Sequence, residues 1–544
     1  MAELIIPPLP PAIWKVGARD TAAELCLTQE LGVPSLVAAV LTSRGMSDPR
    51  SAETFLNPRL ENLHDPSLLP DYAEAVREIL GAKERGETIY VHGDYDTDGV
   101  TSTAIFTRFL RRIGCQVVPH VPHRMKEGYG IHQMAVQWAK DHGTSLFLTC
   151  DCGISAHEQL DLVKAAGMRA VVTDHHELKE TLPEAYAVVN PHRKDAAYPF
   201  ENLCGAGIVY KLCLGIAREL GLQDSHYHRA FLDLAVLGTV ADVMPLVDEN
   251  RIITRHGLPL LKDSKKPGIR ALLAAANLDR HEGPLTSRHI GFQLAPRINA
   301  AGRIDDADIS LTMMLTEDMD EATTIAQKLN DINQERRDET QRMQNEAIAL
   351  ILEREMNLSA ALIIENRGWH PGMVGLVASR LVETFHRPSF VISLNDEGIG
   401  RGSARSIPGF HLAEALDDAW EHILGGGGHA MAAGFSLESK SVEAFREAVQ
   451  QRAAALLSEE DLTPKRWIDS EVSPGEGTAA DTEALSALEP FGEANPAPFF
   501  MARGAEIVGH SPTRSPEHAR LTSSTVTSRL LASSSAGDRK PRSC

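Results

Sequence analysis

Between residues 85 and 245 one pattern recurs: a short apolar run, a cluster of acids or histidines, then an amphipathic helix. Thr88-Ile89-Tyr90-Val91 runs into His92-Gly93-Asp94-Tyr95-Asp96-Thr97-Asp98-Gly99, and the next segment has helical spacing of Ile105, Phe106, Phe109 and Leu110. Leu146-Phe147-Leu148-Thr149 runs into Cys150-Asp151-Cys152-Gly153, and Ala170-Val171-Val172-Thr173 into Asp174-His175-His176-Glu177. Ala187-Val188-Val189 runs into Asn190-Pro191-His192. Strands alternating with helices specify an α/β domain on a parallel sheet, because parallel neighbours need a crossover between them. Each polar cluster follows a strand, and open α/β sheets bind ligands at the carboxyl ends of their strands.

The clusters suit divalent cations. Asp94, Asp96 and Asp98 would repel one another in a cleft, and a cation relieves that repulsion through the same oxygens. An EF-hand is excluded, since the twelve-residue ligand pattern does not end in Glu. Taken alone, this run reads better as a solvated acidic turn. Asp151 alone reads as a helix cap. Two adjacent imidazoles in Asp174-His175-His176 suit a mixed nitrogen and oxygen site for manganese, magnesium with water, or zinc, though a lone tripeptide of this kind is more often a polar loop. Asp242 lies in the apolar stretch Gly238–Leu246, where a buried carboxylate must be ligated, protonated or paired with an arginine. Together the four clusters converge on one ligand edge. Such a set can hold two cations about 3.5–4 Å apart, which activate water and stabilise phosphoryl charge.

Other motifs add less. Arg297-Ile298-Asn299-Ala300-Ala301-Gly302-Arg303 sets two arginines near a small-residue turn, and Arg401-Gly402-Ser403-Ala404-Arg405-Ser406 adds hydroxyls between two more. Both could grip phosphate oxygens or be surface pairs. Gly425–Gly428 before His429 reads as a flexible loop that lets backbone approach a ligand. No G-x-x-x-x-G-K-[ST] occurs, so ATP use is not indicated. Cys150 and Cys152 have no second pair at zinc-finger spacing and read as buried thiols.

The net charge of −20 argues against a protein that coats nucleic acid by bulk charge, but leaves room for a nuclease with a local basic groove. The seven scattered cysteines form no disulfide framework. The first residues lack a basic region before an apolar core, and no apolar run of about 18 residues occurs, so a cytoplasmic location without a membrane span is expected.

Domain boundaries are expected as follows. Residues 1–80 read as a helical segment and 81–316 as the catalytic α/β domain. Residues 317–358 read as a long polar helix with a thin apolar stripe, of the kind that bridges domains. A second α/β block covers 359–460, with strands at Ala360–Ile364 and Ser389–Ser393. A third block covers 461–510. The Ser-, Thr- and Arg-rich tail, 511–544, is expected to lack regular structure.

His92–Gly99, Asp151-Cys152-Gly153-Ile154, Asp174-His175-His176 and Gly238-Thr239-Val240-Ala241-Asp242 resemble the four signature motifs of the DHH phosphoesterase superfamily. Arg401–Ser406 and Gly427–Gly434 resemble its DHH-associated domain. With Leu203-Cys204-Gly205-Ala206-Gly207, Arg297–Arg303 and Pro490-Phe491-Gly492-Glu493, residues 10–509 are similar to the bacterial branch of single-strand-specific exonucleases.

The resemblance implies a DHH domain with a parallel sheet, a connecting helix, a smaller α/β DHH-associated domain, and an oligonucleotide-binding (OB) barrel that the tail cuts short. It implies 5′→3′ hydrolysis of single-stranded DNA to mononucleotides in repair and recombination, with two cations, manganese or magnesium. By motif position Asp96, Asp98, Asp151, His175 and Asp242 would bind metal, with His92 in the same shell and His176 on the scissile phosphate. Arg303, Ser403 and Arg405 would hold the 5′-phosphate and His429 the nucleotide, with Arg297, Asn299 and Arg401 as further substrate contacts. Implied partners are single-stranded DNA, a single-strand-binding protein and a helicase, for a monomer off the membrane. Two alternatives stay open. A DHH pyrophosphatase, or a phosphodiesterase of short RNA or cyclic dinucleotides, would typically have two domains. A DNA-binding scaffold would be expected to have lost the acids and histidines present here.

Overall fold

In the computed structural model the described residues are 9, 11–123, 127–128, 130–178, 181–304, 307–472, 479–504, 507–512 and 519–523. The chain divides into two units, one of 1–49, 335–486 and 498–544, the other of 50–334 and 487–497.

In the unit of 50–334 the apolar runs become strands β1 (Thr88–His92), β2 (Gln116–His120), β3 (Thr144–Cys150), β4 (Arg169–Thr173) and β5 (Ala187–Val189). They form one parallel sheet in the order β2-β1-β3-β4-β5. The strands other than edge strand β2 are buried along most of their length, which accounts for their continuous apolar character. Chain connectivity reverses between β1 and β3, the crevice where such sheets bind ligands. Helices α1 (Thr97–Arg112), α2 (Gly205–Glu219) and α3 (Asp224–Ala241) pack on one another beside it. Ile105, Phe106, Phe109 and Leu110 of α1 are all buried, each stabilising the fold by about 1.5–3 kcal/mol.

Two local expectations are corrected here. The segment read as a small-residue turn is a helix, α4 (Ala295–Ile304). Its alanines and glycine let it pack closely where a turn had seemed the simpler reading. Asp242 is only partly buried: its Oδ2 is sheltered from solvent, but the residue stands at the edge of the apolar run rather than inside it. It is the C-cap of α3, with its side chain 25% exposed, because the buried face of that helix ends at Thr239.

The long polar stretch is the single helix α5 (Met319–Glu353), and the division between the units falls within it. In the other unit, strands β6 (Leu362–Asn366), β7 (Ser389–Leu394), β8 (Ile399–Arg405), β9 (Gly425–Gly428) and β10 (Ala432–Glu438) form a mixed sheet in the order β9-β10-β8-β7-β6. Helix α6 (Val374–Phe385) packs on β7 and β8. The glycine run expected as a loop is therefore a strand, laddered to β10 from Gly425 opposite Ser436 to Gly428 opposite Ala433. With no side chains to alternate, its sequence carries no strand period.

The first 80 residues supply the expected helices, but Ile13–Val16 is a strand paired in parallel with Lys465–Ile468. The tail is corrected too: Ala519–Ser523 is a strand antiparallel to Ile507–Pro512. Its sequence, Ala519-Arg520-Leu521-Thr522-Ser523, is too polar to show an apolar alternation, and backbone pairing supplies the order instead. Residues 524–544, and Pro7, Pro8 and Pro10 of the irregular start, lie outside the described residues. Among the described residues no helix is long and apolar enough to cross a membrane.

Candidate metal centre

The centre begins where β1 becomes α1. Asp96 is the N-cap of α1, its Oδ1 accepting from the Asp98 N–H at 2.9 Å and the Gly99 N–H at 3.1 Å. This uses one oxygen to start the helix and leaves the other for a ligand. Asp98, in the first turn, is buried. The first two amides of α2 donate to it, Gly205 to Oδ2 at 2.7 Å and Ala206 to Oδ1 at 2.9 Å. A helix N-terminus favours such an anion, and this gives the Leu203–Gly207 motif its role. Close packing demands glycine at two points. A Cβ on Gly205 would lie 2.6 Å from the Asp151 Cβ, and one on Gly238 would lie 2.5 Å from Asp98 Oδ1.

β3 and β4 bring in the next candidate ligands. Asp151 follows β3 with φ +63°, a left-handed conformation that costs energy in any residue but glycine. His175 follows β4, its Nε2 3.0 Å from Asp151 Oδ1, 3.6 Å from Asp242 Oδ2 and 3.9 Å from Asp98 Oδ2. The neighbouring Asp174 is saturated: Oδ1 accepts from the His175 and His176 amides at 2.8 and 3.1 Å and faces His176 Nδ1 at 2.7 Å, and Oδ2 accepts from the Ile154 amide at 2.9 Å. It orients the His176 ring through Nδ1.

Candidate ligand atoms lie within 4.8 Å of one another in three groups: Asp98, His175 and Asp242; Asp94, Asp96 and Asp151; and Asp151, His175 and His176. Asp94 and Asp174 are not among the ligands expected from the motifs. Asp94 belongs to the same D-x-D-x-D run, which is the available signal. Nothing in the spacing marks Asp174 as a scaffold rather than a ligand.

The electrostatics call for positive charge. Burial raises the pKa values of Asp96, Asp151 and Asp242, and repulsion from neighbouring carboxylates, led by Asp98, raises them further. Asp242 also stands at the negative end of α3, and its Oδ2 has no hydrogen-bond partner among the described residues. The donor set of carboxylates and one central imidazole fits manganese or magnesium. Burial lowers the pKa of His175, opposed by Asp98, and so favours the neutral ring that a metal ligand presents. Burial also disfavours the His176 imidazolium, but the Asp174 hydrogen bond and charge outweigh it and raise the pKa.

His92 is not in these three groups. It is buried among the rings of Tyr90, His120 and Phe147, with Nε2 3.2 Å from the Gly130 carbonyl oxygen, and burial lowers its pKa to about 3. Its Nδ1 has no hydrogen-bond partner among the described residues.

Two of the expected substrate contacts also make hydrogen bonds within the fold. The Arg297 guanidinium donates to Gln293 O at 2.5 Å, Asn330 Oδ1 at 3.2 Å and Ala275 O at 3.4 Å. Asn299 Oδ1 accepts from the amide and the hydroxyl of Thr97, both at 2.7 Å, and so braces the start of α1. Arg303 is half-buried in the last turn of α4. A Cβ on the preceding Gly302 would lie 2.7 Å from the Tyr95 carbonyl oxygen, so this turn packs against the D-x-D loop.

In the other unit, Arg401, Ser403 and Arg405 alternate on one face of β8. Arg405 Nη1 donates to Ser403 Oγ at 3.1 Å and to the Ala404 carbonyl oxygen at 2.8 Å. A Cβ on Gly375, in the first turn of α6, would lie 3.1 Å from Ser403 Oγ and 3.3 Å from Arg405 Nη2. A guanidinium and a hydroxyl against a helix N-terminus suit an anion. Gly434 pairs with Ser403 and Gly427 with Gly434, and both glycines border open space. His429 is exposed at the β9–β10 turn, its amide donating to the Ala432 carbonyl oxygen at 2.8 Å.

Residues 88–239 match the DHH family, N-terminal domain, residues 357–455 the DHHA1 domain, and residues 468–532 the RecJ OB domain. The last match reaches beyond residue 510 into the segment expected to be an irregular tail. The chain is 36% identical over 495 residues to the single-stranded-DNA-specific exonuclease RecJ of Bacillus subtilis (strain 168), with 91% of this chain and 62% of that protein covered. It is 37% identical over 503 residues to that of Dickeya dadantii (strain 3937), with 89% and 86% covered. The crystal structure of RecJ in complex with Mn2+ from Thermus thermophilus superposes with a TM-score of 0.81 at 30% identity, over 97% of this chain and 75% of that one.

Proposed function

The chain belongs to the RecJ family of single-stranded-DNA-specific exonucleases, and on that premise we propose that it trims single-stranded DNA from the 5′ end, releasing mononucleotides. The observation that carries the reading is the pairing of two three-ligand groups, Asp98/His175/Asp242 and Asp94/Asp96/Asp151, across the 3.0 Å contact of His175 with Asp151. Two divalent cations held there, manganese or magnesium, would supply water activation and stabilise charge on the phosphoryl group.

The chain's own residues do the rest. Asp96, Asp98, Asp151, His175 and Asp242 hold the metals, joined by Asp94, with His92 in the surrounding shell. Asp174 fixes the ring of His176, whose raised pKa suits it to donate from Nε2 to a phosphoryl oxygen. Arg303 contacts the DNA backbone beside the D-x-D loop. Ser403 and Arg405 take the 5′-phosphate at the α6 N-terminus, and Arg401 and His429 the adjoining nucleotide. The protein acts as a cytoplasmic monomer in repair and recombination, supplied with single strands by a helicase and a single-strand-binding protein.

The test is digestion of 5′- and 3′-end-labelled single strands by metal-stripped protein with Mn2+ or Mg2+ added back. Labelled mononucleotide should appear first from the 5′ label and only with metal. Asp98→Ala should not cleave, and Arg405→Ala should lose more activity on 5′-phosphorylated than on 5′-hydroxyl ends. Faster hydrolysis of cyclic or linear dinucleotides than of long strands would sink the proposal.

A further inference from the structure

The Pro490-Phe491-Gly492-Glu493 motif supplies no ligand, yet residues 487–497 belong to the unit that holds the metal centre, while 335–486 and 498–544 belong to the other. This insertion grips the loop that follows Asp242. The Leu246 amide donates to the Glu493 carbonyl oxygen at 2.8 Å. The buried Leu246 side chain fills the space that a side chain on Gly492 would take, since a Cβ there would lie 2.6 Å from Leu246 Cδ1. Between the ligand and this grip stands Val243 with φ +56°, a conformation β-branched residues avoid and one that persists only when its surroundings impose it.

The insertion is itself anchored. Arg251, buried on the helix Asp248–Lys262 that follows the loop, donates to the carbonyl oxygens of Glu489 at 2.9 Å, Leu488 at 3.1 Å and Ala487 at 3.4 Å. Its guanidinium also donates to Phe55 O at 2.6 Å and lies 3.7 Å from the centre of the Phe55 ring. Asn495 closes the segment on itself, donating to Leu488 O at 2.9 Å and Pro490 O at 2.8 Å. A buried cation thus holds the backbone of this segment.

We propose that residues 487–497, anchored by Arg251, are a positioning latch that holds the strained Val243 loop and so sets the Asp242 carboxylate for its cation. The inference rests on the metal assignment above. Groups that orient metal ligands without touching the metal change affinity by about 10- to 100-fold when lost.

The experiment is calorimetric titration of Mn2+ into the metal-stripped full chain, with melting temperature and steady-state kinetics measured in parallel. Gly492→Val should weaken one of two Mn2+ sites by about tenfold or more, leave KM for single-stranded DNA within about twofold, and recover kcat in excess Mn2+. Arg251→Met should do the same more strongly. Where it does not fold, Gly492→Val carries the test. A core truncation remote in sequence, Leu272→Ala, should lower the melting temperature without changing Mn2+ affinity. The latch is refuted if Gly492→Val melts lower but binds Mn2+ within about twofold of the parent chain. Failure of the parent chain to bind Mn2+ would overturn the metal assignment, and the latch with it.

Discussion

At the scale of residues, the centre separates candidate ligands from the groups that orient them. Asp151 and His175 meet at 3.0 Å, while Asp174, one position from His175, spends both oxygens on three amides and the His176 ring. Asp174→Asn should therefore lower kcat by about 10- to 100-fold with little change in KM, and move the His176 limb of the pH–rate profile to lower pH. An unmoved profile would assign Asp174 a structural role alone. The raised pKa values of Asp96, Asp151 and Asp242 have their own consequence. Between the unfolded value of about 3.9 and those raised values, the folded metal-free chain binds more protons than the unfolded one, so its stability falls as pH rises. Thermal melts from about pH 4 to about pH 8 should show Mn2+ stabilising the chain increasingly as pH rises through that window. A metal-induced shift independent of pH would contradict the site. The motif acids and the DHH histidines were legible in the sequence because they recur behind strands. Arg297 and Asn299 were not, because an arginine on backbone carbonyls and one on phosphate look alike in a sequence.

At the scale of elements, helix ends place much of the carboxylate cluster. The N-terminus of α1 orders Asp96, the N-terminus of α2 receives Asp98, and the C-terminus of α3 carries Asp242. α2 must come close enough for its amides to reach Asp98, and Gly205 allows it. Gly205→Ala should cost about 1–3 kcal/mol through overpacking against Asp151. It should also weaken Mn2+ binding, and denaturant titration with calorimetry would measure both. Unchanged Mn2+ binding would mean that Asp151 can move without consequence. The strands β1, β3, β4 and β5 were legible as apolar runs. β9 and Ala519–Ser523 were hidden, one having no side chains and the other few apolar ones, so their order comes from pairing.

At the scale of the whole molecule, the chain resolves into two units, and among the described residues only that of 50–334 and 487–497 contains the carboxylate and histidine groups. Mn2+ at about a hundred times its Kd should stabilise that unit by about 2.7 kcal/mol. Scanning calorimetry should show its transition rising with metal while that of the other unit stays in place. Equal displacement of both would show that the units unfold as one. The amino-acid sequence by itself determined the parallel α/β domain, the long polar helix and the gathering of motif acids and histidines at the strand ends, because hydrophobic period and strand-end position are local properties of the chain. Only the tertiary structure decided that Gly205 and Ala206 hold Asp98, that Ile13–Val16 pairs with Lys465–Ile468, and that residues 487–497 grip the loop after Asp242. Those contacts join residues about 100 to 450 positions apart, and a hydrogen bond across such a separation leaves no period in the sequence to read.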